Sequence, residues 1–134
     1  THTILYLPNF DFSEEGIYEF SFWSKLFIQV GSDGFLVEYS MDRGQTWEVL
    51  GEEQENWYNF TNGSNENAAF PLRASYFGRS SSDFQEHFLD ISQFSGQEDV
   101  AFRFVFRSND TGSHQDWSLM TLLSRNLKEL HRQK

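Results

Sequence analysis

The sequence predicts an all-β protein, an antiparallel β-sandwich, over residues 1–123, with a tail, short helix or linker at 124–134. Three observations predict it. The stretch Asp99–Arg107 alternates Val100, Phe102, Phe104 and Phe106 with Ala101, Arg103, Val105 and Arg107. A helix would scatter those rings around its circumference, whereas a strand puts them on one face. The chain also carries 15 Phe, 5 Tyr and 4 Trp in 134 residues, ample material for one core at roughly 1.5–3 kcal/mol per buried ring. Finally, no helical crossovers separate the extended stretches, which excludes a parallel βαβ arrangement.

The elements follow in chain order. Thr3–Leu7 is a short strand closed by Pro8-Asn9. Gly16–Ser24 alternates Tyr18, Phe20 and Phe22, the inward set, with Ile17, Glu19, Ser21 and Trp23. Lys25–Val30 continues extended into the turn Gly31-Ser32-Asp33-Gly34. Phe35–Ser40 enters a hairpin turn and Trp47–Leu50 leaves it. From Gly51 to Ser82 the chain is polar, broken by Trp57-Tyr58, Phe70-Pro71-Leu72 and Tyr76-Phe77, and reads as a long loop or several short strands. Phe84–Ile91, Asp99–Arg107 and Asp116–Leu123 complete about seven or eight strands. Leu119, Leu123, Leu127 and Leu130 then fall at helical spacing.

Charge removes whole classes of partner. The formal net charge is −10, and without the last ten residues the body holds six basic and nineteen acidic residues, or −13. Such a surface repels nucleic acid and anionic membranes, since phosphate binding needs clustered Lys and Arg. The acidity itself serves either solubility or a calcium-bearing, salt-adapted surface. There is no cysteine, hence no disulfide, thiol catalysis or Cys-based zinc site, and a bacterial or cytosolic source is expected. No stretch is apolar enough to span a membrane. Thr1 at the start is expected of a mature or excised fragment of a longer exported protein.

The most specific local pattern is Ser40-Met41-Asp42-Arg43-Gly44-Gln45-Thr46-Trp47. Asp42 can accept backbone N–H bonds across a turn, and Gly44 takes positive φ without steric cost. The hydroxyls of Ser40 and Thr46 can tie the hairpin base, with Trp47 as an apolar cap. This pattern resembles the Asp box of sialidases, sortilin-like receptors and bacterial surface domains, where it is structural. The wider order adds Trp57-Tyr58-Asn59, then Leu89-Asp90-Ile91-Ser92-Gln93-Phe94-Ser95-Gly96, the strand through Phe106, and Asp116-Trp117. It resembles the MAM-like jelly-roll and adhesin-type domains of secreted bacterial multidomain proteins, including accessory domains of secreted peptidases. The resemblance implies an extracellular, cell-surface or periplasmic location and contact with neighbouring domains of the same chain. Those domains often end in a strand with paired acids; here it reads Trp117-Ser118-Leu119-Met120-Thr121-Leu122.

Catalysis finds no support in the residues. A sialidase needs a propeller of several repeats, and one box cannot build it. Glu14-Glu15 and Glu52-Glu53 are adjacent pairs, whose side chains point to opposite faces of a strand. His2, His87, His114 and His131 show no zinc spacing, and no nucleophile elbow occurs; His87 is expected at the surface. The expectation is a non-catalytic binding or adhesion module for a glycan or protein ligand, or else a spacer or sensor ectodomain. Candidate sugar-binding residues are Trp57, Tyr58, Asn59, Asn62, Tyr76 and Trp117, which mix stacking faces with amide hydrogen-bonding groups. The competing reading has Trp57 and Tyr58 plugging the core edge. Asp33, Asp110 and Asp116 are loop carboxylates suited to Ca2+. The sequons at Asn59, Asn62 and Asn109 matter only in a eukaryotic secretory host.

Overall fold

The computed structural model describes residues 2–28, 32–54, 56–63 and 69–108. Among them run eight strands, β1 (His2–Tyr6), β2 (Glu19–Ser24), β3 (Gly34–Ser40), β4 (Glu48–Val49), β5 (Phe60–Thr61), β6 (Ser75–Tyr76), β7 (Gln85–Asp90) and β8 (Ala101–Arg107), plus a 3-10 turn at Ser92–Phe94. Every strand pair is antiparallel. The fold is all-β and sandwich-like, without a closed barrel. The strand expected at Asp116–Leu123 and the tail at 124–134 lie outside the described residues.

The alternating strand sits at the centre. The larger sheet runs β1-β8-β3-β4, and residues directly opposite one another share a face. One row across it is therefore Leu5, Phe104, Val37, whose Phe104 and Val37 are buried while Leu5 at the edge is exposed; the next is Tyr6, Arg103, Glu38, on the opposite, outer face. Inward, Phe102, Phe104 and Phe106 with Phe35 and Val37 meet Phe20, Phe22 and Leu89 of the β2-β7 sheet. The ring centres of Phe20 and Phe102 are 5.0 Å apart, as are those of Phe22 and Phe104. Their tilted and edge-on contacts are the arrangements that the ring quadrupole favours. Phe12 and Phe94 close one end of this core; Trp57 and Phe77 close the other.

The N-terminal segment rides on β8 beyond β1. Leu7 N–H donates to the Phe102 carbonyl (3.0 Å), Phe10 exchanges bonds with Val100, and Phe12 N–H donates to the Gln97 carbonyl (2.7 Å). Residues 25–28 of the extended stretch expected at Lys25–Val30 add no named strand.

The stretch from Gly51 onward folds into short strands that wrap the sheet edge. The edge of β3 is shared. Glu38 and Tyr39 pair with β4, while Phe35 exchanges two backbone bonds with Phe77 (2.8 and 3.0 Å). The Tyr58 hydroxyl fills the gap between them: it accepts from the Val37 N–H (3.2 Å) and donates to the Leu50 carbonyl (2.7 Å). Beyond it the β5-β6 hairpin covers part of the outer face, packing Phe70 and Tyr76 on Leu36 and Val105. Tyr76 lies where a Cβ on Gly34 or on Gly78 would stand, so both positions exclude a side chain.

His87 is a correction. It stands opposite Phe22 in the sheet, on the inward face, and its ring packs against Phe22 (5.2 Å) and Phe77 (4.5 Å) instead of facing solvent. Burial holds its pKa down at about 4.

Two outcomes are expected. Phe104→Ala lowers unfolding free energy by about 3–5 kcal/mol in a denaturant titration, whereas Phe88→Ala, at an exposed position, changes it by under about 0.5 kcal/mol. Because the folded His87 resists a proton that the unfolded chain accepts, stability declines as pH falls from the ordinary 6.5 towards about 4. Melting temperatures across that window check it; His87→Gln removes this part of the slope.

Candidate binding site

The hairpin at Ser40–Trp47 organises the outer face. The Ser40 hydroxyl donates to Asp42 Oδ1 (2.7 Å) and accepts from the Gly44 N–H (2.8 Å). Asp42 Oδ1 also accepts the N–H groups of Gln45 and Thr46 (3.0 and 2.9 Å), while Oδ2 takes the Thr46 hydroxyl (2.6 Å). Those donors, the Thr46 hydroxyl first, hold the Asp42 carboxyl down at about 2. Arg43 and Gly44 both have positive φ, 65° and 86°, which turns the chain back on itself in two residues. Trp47 Nε1 then donates to the Gly44 carbonyl (3.0 Å), fixing the indole over the sheet.

What lies beneath that indole is Arg103. Its guanidinium carbon sits 4.1 Å from the Trp47 ring centre and 5.8 Å from that of Tyr6. Its Nε and Nη2 donate to Glu38 Oε1 at 2.7 and 2.6 Å, both side chains being largely covered. Charged hydrogen bonds and an aromatic lid together hold the arginine in one pose. The Tyr6 and Trp47 rings meet edge-on at 6.0 Å and 60°. On the far rim Asp99 accepts from Asn9 Nδ2 (2.6 Å) and from Arg43 Nε (3.2 Å), tying the hairpin to the lead-in of β8. The small side chain of Ala101 keeps the floor low. An open recess of about 390 Å³ results, bounded by Tyr6, Asn9, Arg43, Gly44, Trp47 and Arg103.

No protein-family model, no curated protein and no solved structure matches this chain. The site is therefore read from its own geometry.

The long-loop residues expected to bind sugar go elsewhere, and this is the main correction. Trp57 is only 3% exposed, edge-on to Phe20, Phe22 and Phe77, with Nε1 donating to the Leu50 carbonyl (3.1 Å). Tyr58 plugs the β3 edge as described above; burial pushes its hydroxyl pKa well up. Asn59 Oδ1 accepts the Gly78 N–H (2.9 Å). Asn62 is buried and clamps the next turn, its Nδ2 on the carbonyls of Phe70 (3.0 Å) and Pro71 (3.1 Å). Tyr76 is fully buried and stacked on Phe70 at 4.1 Å; burial, aided by the Asp33 carboxylate, raises its pKa to about 12. None of the five presents an open stacking face. Burial wins because a ring at a sheet edge removes more apolar area from water than one left on a loop tip.

Trp117, Asp110 and Asp116 lie outside the described residues. Asp33 is fully buried. Among the described residues no group of three or more His, Asp or Glu side chains is arranged to hold a metal ion.

Sequence reasoning missed Tyr6, Asn9, Arg43 and Arg103. One signal was available: Arg103 holds an outward position on the clearest strand, in register with the Asp-box hairpin stem. Tyr6 carried none, because Thr3–Leu7 is too uniformly apolar to show which parity faces out.

The Asp42 contribution has a defined pH window. A depressed carboxyl stabilises the fold above its ordinary value of 3.8, and that stability is lost as pH falls through about 2. Asp42→Asn is expected to lower the melting temperature at neutral pH, with the gap from the parent closing as pH approaches about 2. Circular dichroism melts at stepped pH measure it.

Proposed function

We propose that this chain is a non-catalytic extracellular binding module that takes a glycan in the recess between Tyr6 and Trp47. The observation that carries the reading is the company Tyr6 keeps. It is 59% exposed and shares the recess with the Asn9 amide and two guanidinium groups, of which Arg103 is fixed by Glu38. Sugar rings stack on such aromatic faces while side-chain donors and acceptors meet their hydroxyls, and a pre-organised rim keeps the ordering cost of binding low. The sandwich-like fold and the single Asp-box hairpin fit a MAM-like or adhesin-type module of a larger exported protein. The acidic body fits a partner other than nucleic acid, and among the described residues no helix is long and apolar enough to cross a membrane.

A second reading has its own observation. The outer face of β2-β7 shows Trp23 and Phe88 to solvent, with Phe27 exposed nearby. Exposed apolar groups in such number mark a protein-contact surface, as a spacer between domains would need.

A glycan array probed with the full chain separates the two. The glycan reading expects binding that Tyr6→Ala weakens by about tenfold or more and that Phe88→Ser leaves intact. Capture of a protein ligand that Phe88→Ser abolishes and Tyr6→Ala spares would move the assignment to the second surface. Trp57→Ala is no probe of either, since that ring belongs to the core.

A further inference from the structure

Resting on the glycan reading, we infer that the recess selects a neutral saccharide, stacked on Tyr6 and hydrogen-bonded at the Asn9–Arg43–Asp99 rim, and rejects acidic sugars. The charges within the recess cancel in pairs. Arg103 is matched by Glu38 at 2.6 Å and Arg43 by Asp99 at 3.2 Å. Among the described residues, both cations that a carboxylate or sulfate would meet here already hold a carboxylate partner, which offsets their attraction for a second anion. The surroundings act in the same sense: Arg43 and Arg103 are two of the body's six basic residues, against nineteen acidic ones.

Cations are refused for the complementary reason. The guanidinium of Arg103 already covers one face of Trp47 at 4.1 Å, so the most electron-rich ring is engaged. What remains for a ligand is an apolar face with hydrogen-bonding groups at its rim. Tyr6 offers an apolar face. Among the described residues Asn9 donates through Nδ2 to Asp99, and its carbonyl oxygen is an acceptor for a ligand. Among the same residues Arg43 meets Asp99 at Nε, and the terminal nitrogens of this 83% exposed side chain are donors. An acceptor and a fork of donors beside an apolar face match adjacent hydroxyls on a pyranose ring. At about 390 Å³ the recess is at the small end of ligand sites, which span about 300–1,000 Å³; one or two sugar units fill it.

The test titrates the full chain calorimetrically with neutral oligosaccharides (cello-, xylo-, manno- and galacto-) and acidic ones (oligogalacturonate and heparin fragments), at about 50 mM and about 500 mM salt. The expected result is binding of a neutral series, with Kd changing by less than about twofold between the two salts. Tyr6→Ala is expected to weaken it by about tenfold, and Tyr6→Phe, which keeps the stacking face, by under about threefold; unchanged melting temperatures show that both variants fold. Preference for the acidic series, with affinity falling steeply in salt, overturns the neutral-ligand inference and leaves the glycan reading standing. No binding of either series overturns both. Neutral-sugar binding that survives Tyr6→Ala overturns the recess as its location.

Discussion

Strand β8 lies between β1 and β3, hydrogen-bonded on both sides, and its period of two leaves each neighbour little choice. Phe102, Phe104 and Phe106 face the β2-β7 layer, which obliges Arg103, Val105 and Arg107 to face the other way. A slip of one residue in the pairing would turn three phenylalanines to water and two arginines into the core. The register is thus enforced by burial, and the row Tyr6–Arg103–Glu38 on the opposite face follows from it. The recess exists because the core is packed as it is.

The outer face then divides into two halves with different fates. Over Leu36 and Val105 the β5-β6 hairpin lies down and seals a second apolar cluster with Phe70 and Tyr76. Over Arg103 and Glu38 the turn at Ser40–Trp47 delivers Trp47, and an arginine held by charged hydrogen bonds carries the indole. One half becomes interior and the other stays open beside Tyr6. Polar residues on a sheet face resist full burial, since a covered charge must keep all its partners.

The turn at Ser40–Trp47 shows how a local motif serves a distant geometry. These hydrogen bonds all close within the eight residues Ser40–Trp47, so the turn carries its own donors and acceptors. Arg43 then reaches Asp99, and Trp47 reaches Arg103 and Tyr6. A rigid turn of this kind projects side chains from a fixed base, which a flexible loop of the same length does not do.

The sequence alone determined the all-β class, the central aromatic strand and the hairpin at Ser40–Trp47, because each is written in a period of two or in a turn with its own donors and acceptors. It also carried, as one of two readings, the plugging of the core edge by Trp57 and Tyr58. Only the tertiary structure decided between them, and the deciding contacts lie far apart in the chain: Trp57 against Phe20 and Phe22, Tyr58 on the backbone of Val37, Tyr76 over Gly34. The recess was equally out of reach, since Tyr6 and Arg103 meet across 97 positions. Local patterning reports which residues alternate or turn. Which aromatic ring is buried and which stays open depends on what the opposite strand brings to the same face, and that is settled only when register is.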